Sequence, residues 1–313
     1  MEPIICVVGP TASGKTELAV RLAKKLDGEV ISCDSMQLYR RMDIGTAKPT
    51  VEEMDGVPHH MIDVVEPDEQ FSVGKYVEMA DTVLQDILKR GRTAVIAGGT
   101  GLYADSLLSG RSFAPFPSTG KREALEARME REGAEALLRE LAAIDPETAA
   151  RLHPADHKRI IRALEVYEET GKPISQHDRE TRQIPPKYRA CRIGLDFADR
   201  AELYRRIDLR VDRMLEAGLW DEVERLLAFG VPPRATAMQA IGYKELLEVR
   251  SGERTLSDAV ALIKQRSRNY AKRQLTWFRR NPEIHWLYRQ TGQSADEIFQ
   301  AACQIIPDFA GRQ

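Results

Sequence analysis

The stretch GPTASGKT, Gly9 to Thr16, constrains this chain more than any other. It fits G-x-x-x-x-G-K-[ST], and it stands where that pattern becomes a physical device. The apolar run Ile4-Ile5-Cys6-Val7-Val8 precedes it and reads as a buried strand, and Glu17 to Ala23 follows and reads as a helix. Gly9 and Gly14 permit backbone angles that a Cβ would block. The loop N–H groups and the helix N-terminus then converge on one anion. Lys15 adds a point charge, and Thr16 offers a hydroxyl to a phosphate-bound Mg²⁺. The pattern predicts phosphate binding. It leaves open what carries the phosphate.

At 313 residues the chain is long enough for two domains. Lys and Arg number 46 against 48 Asp and Glu, so net charge identifies no partner, and any nucleic-acid surface must come from local clustering. No apolar run approaches the roughly 18–20 residues of a membrane span, and the chain enters its first strand at once, which predicts no secretory leader. Cys6, Cys33, Cys191 and Cys303 are scattered, with no C-x-x-C. That pattern predicts reduced thiols in a cytoplasmic protein rather than disulfides or a metal site.

Gly28 to Asp34 reads as a second strand ending in an acid, and His59 to Val65 as a third. Ser72 to Arg90 has helical spacing, with Val73, Val77, Ala80, Val83, Leu84, Ile87 and Leu88 on one face. Thr93 to Ala97 is another buried strand, closed by Gly98-Gly99-Thr100-Gly101. Alternating strands and helices predict an α/β fold with a parallel sheet, whose ligands lie at the strand C-terminal ends. Phe113 to Pro117 breaks the pattern, and Thr119 to Thr181 is helical throughout. Gln183 to Pro186 breaks it again, and Arg192 to Leu195 returns to the sheet. The expected organisation is a catalytic core over 1–117, an all-helical insertion over 118–190, and the rest of the core over 191–313, with a late strand near His285.

Asp34 follows Lys15 by 19 positions, in DSMQLYR. An acid there holds Mg²⁺ or takes a proton from an acceptor: a hydroxyl in a kinase, another nucleophile in another transferase. The competing role is to cap the next turn. His59 and His60 lack a second ligand pair at metal-binding spacing and read as structural. Lys264 to Arg280 carries seven basic residues and no acid, with Tyr270, Trp277 and Phe278 interleaved. Such a helix tracks a phosphate backbone, while some of its aromatics anchor it. A weaker basic cluster, Arg151, Lys158, Arg159 and Arg162, lies in the insertion beside His153 and His157.

GPTASGKT, DSMQLYRRMDIGTAKP, GVPHHMIDVVEP, AGGTGLY, HKRIIRALEVYEETGKPIS, AIGYKEL and AKRQLTWFR together resemble the tRNA dimethylallyltransferase (tRNA isopentenyltransferase) family, from Val8 to about Trp286. The resemblance implies a P-loop-type core with helices on both faces and an insertion that grips the tRNA anticodon stem-loop. It implies prenyl transfer from dimethylallyl diphosphate to the exocyclic amine of the adenosine just 3′ of the anticodon, with Mg²⁺. By motif, Gly9, Thr11, Ala12, Ser13, Gly14, Lys15 and Thr16 take the diphosphate, Thr16 the metal, and Asp34 the proton, and Arg210 matches a diphosphate-contacting arginine beside Arg206 and Arg213. Asp34, Ser35, Met36 and Gln37, with Thr100, Lys158, Arg159, Ile160, Ile161 and Arg162 and the Gly242-Tyr243 turn, match tRNA-contact regions. Arg268, Lys272 and Arg273 join them from the basic helix. With no C-terminal Cys/His cluster, the chain resembles the bacterial form, and a monomer is expected.

Three other readings stay open. A small-molecule P-loop kinase accounts for the first 110 residues and leaves the basic helix idle. A non-catalytic RNA-binding protein leaves Lys15, Thr16 and Asp34 idle. A free-adenylate prenyltransferase needs no pair of basic clusters.

Overall fold

The computed structural model describes residues 4–110, 119–182 and 185–310. The chain forms two compact units, Met1–Gly110 with Tyr188–Gln313, and Arg111–Lys187. The expected break at Phe113–Pro117 and the expected start of the insertion lie outside the described residues, as do Gln183 and Ile184 of the second break. At the far end the core resumes at Tyr188, because its backbone N–H donates to Leu108 O at 3.0 Å and its hydroxyl to Asp81.

In chain order the first part of the core is β1 (Ile4–Val8), α1 (Lys15–Lys25), β2 (Gly28–Ser32), α2 (Val51–Met54), β3 (His59–His60), α3 (Val73–Lys89), β4 (Thr93–Gly98) and α4 (Gly101–Ser109). The insertion follows as α5 (Lys121–Glu132), α6 (Ala134–Ile144), α7 (Pro146–Ala149), α8 (His157–Thr170) and α9 (Ile174–Arg182). The core resumes with β5 (Cys191–Phe197), α10 (Arg200–Glu216), α11 (Leu219–Ala228), α12 (Tyr243–Arg250), α13 (Leu256–Phe278), β6 (His285–Arg289) and α14 (Ala295–Ala310).

The six strands form one parallel sheet in the order β3-β2-β4-β1-β5-β6. The inner strands are apolar on both sides because both sides are covered. Ile4, Cys6 and Val8 of β1 pack with Tyr76, Ala80 and Leu84 of α3 and Leu107 of α4, while Ile5 and Val7 pack with Leu18 and Leu22 of α1 and Ile298 and Ala302 of α14. Ser72 caps α3 by accepting Lys75 N–H. Its fully buried stripe is Tyr76, Ala80, Leu84 and Ile87, so Val73, Val77, Val83 and Leu88 are flanks of the expected face. The third strand is shorter than expected. Met61 at φ 61° and Asp63 at φ 54° break the extended run, and Val65 pairs only as a lone bridge to Tyr39.

Candidate active site at the phosphate loop

The loop between β1 and α1 has the backbone its sequence demands. Gly9 has φ 147°, and a Cβ there would lie 2.3 Å from Leu195 O. Gly14 enters α1 at φ 93°. Lys15 Nζ donates to Pro10 O at 2.6 Å, folding the side chain back over the loop. Ser13 Oγ is buried and has no hydrogen-bond partner among the described residues, as a donor waiting for a phosphate oxygen would be. Arg210, from α10, donates through Nη1 to Thr11 Oγ1 at 3.2 Å, which selects it among the neighbouring arginines as the one touching the Thr11 side chain. Arg206 lies one turn earlier and donates to Ala12 O at 3.3 Å.

Burial and the neighbouring Arg210 push the Lys15 ammonium down to about 8, although Asp34 pulls it the other way. Burial also lowers Arg210, with Arg206 repelling it and Glu53 and Asp34 attracting it. Lys15, Arg210 and Asp34 therefore share one electrostatic neighbourhood. Neither Lys15 nor Arg210 has a carboxylate within ion-pairing reach among the described residues. Cations held near a helix N-terminus without a counter-charge make an anion cradle.

Asp34 arrives there because β2 pairs with β4, which pairs with β1. Ser35 N–H donates to Thr100 Oγ1 at 3.1 Å, and Thr100 N–H donates to Cys33 O, fastening this segment to the start of α4. Asp34 Oδ1 accepts Met36 N–H at 2.9 Å. The capping role is real, and it occupies one oxygen only. Tyr270 of α13 stands nearby, and burial beside Asp34 pushes its hydroxyl up to about 12. Gln37 Nε2 donates to Thr46 O and Ala47 O, while its Oε1 accepts from Ser32 Oγ. Met36 is half-buried against the core.

Several expected contacts need correction. Ile160 and Ile161 belong to the core of the insertion, with Leu125, Leu137 and Leu164, and offer no side-chain surface to RNA. Their neighbours Lys158 and Arg159 are exposed, and Arg162 pairs with Glu165. Tyr243 is fully buried, and its hydroxyl donates to Glu222, so the Gly242-Tyr243 turn is internal. The acid-free run of α13 is compensated in space. Lys264 pairs with Asp212, Arg266 with Glu245, Arg268 with Asp208 and Arg279 with Asp196. Asp208 and Asp212 sit one turn apart on α10, which packs along α13. Lys272, Arg273 and Arg280 are exposed and meet no carboxylate among the described residues. Lys272 lies over Tyr204 and Arg273 over Tyr270.

Two residues escaped sequence reasoning. Gln274 is 5% exposed; its Oε1 accepts Thr11 N–H and its Nε2 donates to Gly99 O. Glu222 is 2% exposed and accepts the N–H groups of Asp43, Ile44 and Gly45. Each is a polar residue inside an apolar helical stripe: Ala271, Leu275 and Phe278 around one, Leu219, Val223 and Leu226 around the other. That is the signal that could have found them.

His60 lies 2.7 Å from buried Glu29, and His59 Nδ1 lies 2.8 Å from Val57 O. Among the described residues no group of three His, Cys, Asp or Glu is placed to hold a metal. A metal here would need ligand oxygens from substrate, and the Thr16 hydroxyl, half-buried and without a hydrogen bond among the described residues, fits that shared kind of site. The cysteines are free, and burial pushes Cys6 up to about 12 and Cys191 to about 11. No helix among the described residues is long and apolar enough to cross a membrane.

The family profile described as IPP transferase matches residues 37–281. The tRNA dimethylallyltransferase of a Thermoanaerobacter species is 47% identical over 311 residues, covering 99% of this chain and 98% of that protein. Among solved structures, the tRNA isopentenylpyrophosphate transferase of Bacillus halodurans is 42% identical, with a TM-score of 0.73 over 99% of this chain and 96% of its own. A eukaryotic dimethylallyltransferase acting on tRNA is 30% identical, with a TM-score of 0.86 over 100% of this chain and 80% of its own.

Proposed function

This chain belongs to the IPP transferase family and transfers a dimethylallyl group to tRNA, and from that premise we propose that the donor is dimethylallyl diphosphate and the acceptor the exocyclic amine of the adenosine just 3′ of the anticodon. The observation that carries the site assignment is the Arg210–Thr11 bond, which brings a second unpaired cation to the loop of Lys15, with Asp34, at the end of β2, close enough to act on both charges without pairing with either.

In this reading the diphosphate occupies the cradle of Gly9, Thr11, Ala12, Ser13 and Gly14, with Lys15 and Arg210 on its oxygens. The amine nitrogen attacks the allylic carbon, and the bond from that carbon to the diphosphate oxygen breaks. The electron pair leaves with the diphosphate, whose growing charge Lys15 and Arg210 neutralise. The proton of the attacking amine passes to the free oxygen of Asp34; an aromatic amine gives up that proton readily once it has begun to attack, so a positioned carboxylate suffices. The Thr16 hydroxyl would be this chain's ligand to Mg²⁺, which would add charge neutralisation on the leaving diphosphate.

An adenine stacked in an anticodon loop hides its amine, so the base must swing out to meet Asp34. Asp34, Ser35, Gln37 and Thr100 form the acceptor side. Lys158 and Arg159 of the insertion, with Lys272 and Arg273 of α13, contact the tRNA backbone. In this reading the enzyme works in the cytoplasm, where tRNA is, and as a monomer, a state supported by the presence of the named catalytic groups on a single chain.

One assay tests this reading: prenyl incorporation from dimethylallyl diphosphate into tRNA, AMP and ATP side by side, with Mg²⁺ supplied or chelated. Incorporation into tRNA alone, at the adenosine after the anticodon and lost on chelation, is the expected result. Incorporation into free AMP at comparable efficiency overturns the acceptor assignment.

A further inference from the structure

Glu222 is a buried carboxylate with no cation within 4.0 Å among the described residues. Such a charge is costly unless it is fully hydrogen-bonded. Its Oε2 accepts Asp43 N–H at 2.9 Å and Ile44 N–H at 2.8 Å, and its Oε1 accepts Gly45 N–H at 3.0 Å. The Tyr243 hydroxyl adds a fourth donor. Three successive backbone donors make the kind of concave site that elsewhere holds a phosphate. Here the protein fills it with its own anion, from a helix 177 positions further along the chain. The Tyr243 ring closes the other side. A Cβ on Gly45 would lie 2.4 Å from it, so the loop cannot sit deeper.

The far side of this loop faces the acceptor segment. Thr46 O and Ala47 O, immediately after the three donors, accept from Gln37 Nε2 at 3.5 and 3.1 Å. Ser32 Oγ donates to Gln37 Oε1 at 3.0 Å, so the amide is held from both ends. Lys48 ties the loop's exit to Tyr39 O, Asp43 and Asp63. The path from Glu222 to Gln37 is thus backbone donors, two adjacent carbonyls and one amide.

We propose that Glu222, with Tyr243, is a positioning residue for tRNA modification: it fixes the 43–47 loop, whose carbonyls set the orientation of the Gln37 amide. The inference rests on Gln37 meeting tRNA. A carboxylate suits the task because it only accepts. Glutamine would turn an NH₂ toward backbone donors and force the loop away.

Full-length wild type, Gln37→Ala, Glu222→Gln and the double variant are compared for kcat/KM toward tRNA, for KM of dimethylallyl diphosphate and for melting temperature. Glu222→Gln is expected to lose tRNA kcat/KM on the order of tenfold to a hundredfold, as a displaced substrate-contacting group does. The donor KM should stay within about twofold, and the double variant should be no worse than Gln37→Ala by more than about twofold, because the two changes remove one effect. Glu222→Asp, which keeps the charge and withdraws it by one methylene, should show the same selective loss at smaller size, and it carries the test if the Gln variant does not fold. Unchanged tRNA kcat/KM, additive losses, or equal losses toward donor and tRNA each overturn the proposal. If Gln37→Ala itself is silent, the tRNA-contact reading of Gln37 fails and this inference with it. If Gln37→Ala is impaired and Glu222→Gln silent, only the role of Glu222 fails.

Discussion

Gln274 Oε1 accepts the backbone N–H of Thr11 at 2.9 Å, across 263 positions of sequence. The same amide donates to Gly99 O at 3.0 Å. One buried side chain therefore ties the phosphate loop to the turn that presents Thr100. Gln274→Leu keeps the volume and removes both bonds, leaving the buried Gly99 carbonyl unpaired at about 1–3 kcal/mol and the half-buried Thr11 N–H without its partner. A lower melting temperature with a raised donor KM is expected. Melting that falls while donor KM stays at the wild-type value would limit Gln274 to stability.

Asp34→Asn should lose about 10²–10⁴ in turnover, the range of a general base, and keep tRNA affinity. The amide oxygen can still accept Met36 N–H, so the turn survives while proton acceptance does not. Single-turnover chemistry near wild type would remove Asp34 from the base role.

The pH dependence follows from Lys15. With its pKa lowered to about 8, the side chain is a cation below that pH and neutral above it. The cradle loses one positive charge as pH rises through about 8, so kcat/KM for the donor should fall on that alkaline limb. A bound diphosphate favours the cation, so kcat should fall only at higher pH. Lys15→Arg should move the limb up out of range, and Lys15→Ala should cripple donor use at every pH while sparing tRNA affinity. A limb near 8 that survives in the Arg variant belongs to another group.

The charges of α13 should separate into two classes. Removing Lys272 and Arg273, exposed and without a carboxylate, should flatten the salt dependence of tRNA binding by about 0.7–0.9 in the log–log slope per lost phosphate contact. Removing Arg268 should change the slope less, because its charge is already met by Asp208. Equal slope changes for the two sets would mean that the ion pairs open on binding RNA.

The insertion can be excised at a natural closure. Tyr188 N–H donates to Leu108 O at 3.0 Å, so the core's chain ends at the insertion already lie together. Joining Gly110 to Tyr188 through a short Gly-Ser linker should give a core that binds the donor and no longer modifies tRNA. Retained tRNA modification would show that the insertion is dispensable for acceptor binding.

The sequence by itself determined the phosphate loop, the parallel sheet and Asp34 at its edge. Those features are local demands: two glycines for backbone angles, an apolar run covered on both faces, an acid at a strand end. The tertiary structure alone decided what the charges and polar groups do. Seven basic residues without an acid nearby in sequence look uncompensated, yet Asp208, Asp212, Glu245 and Asp196 meet four of them from other elements. Ile160 and Ile161 stand inside a basic motif and fill the insertion's core, because side chains three and four positions apart share one face of a helix, and that face turns inward whatever its neighbours are. Gln274 and Glu222 look like surface residues until the loops they hold are seen to be distant in sequence. Backbone conformation is set within a few residues, whereas pairing and burial depend on whatever the fold brings within about 3–4 Å, and that is not written in any one stretch of the chain.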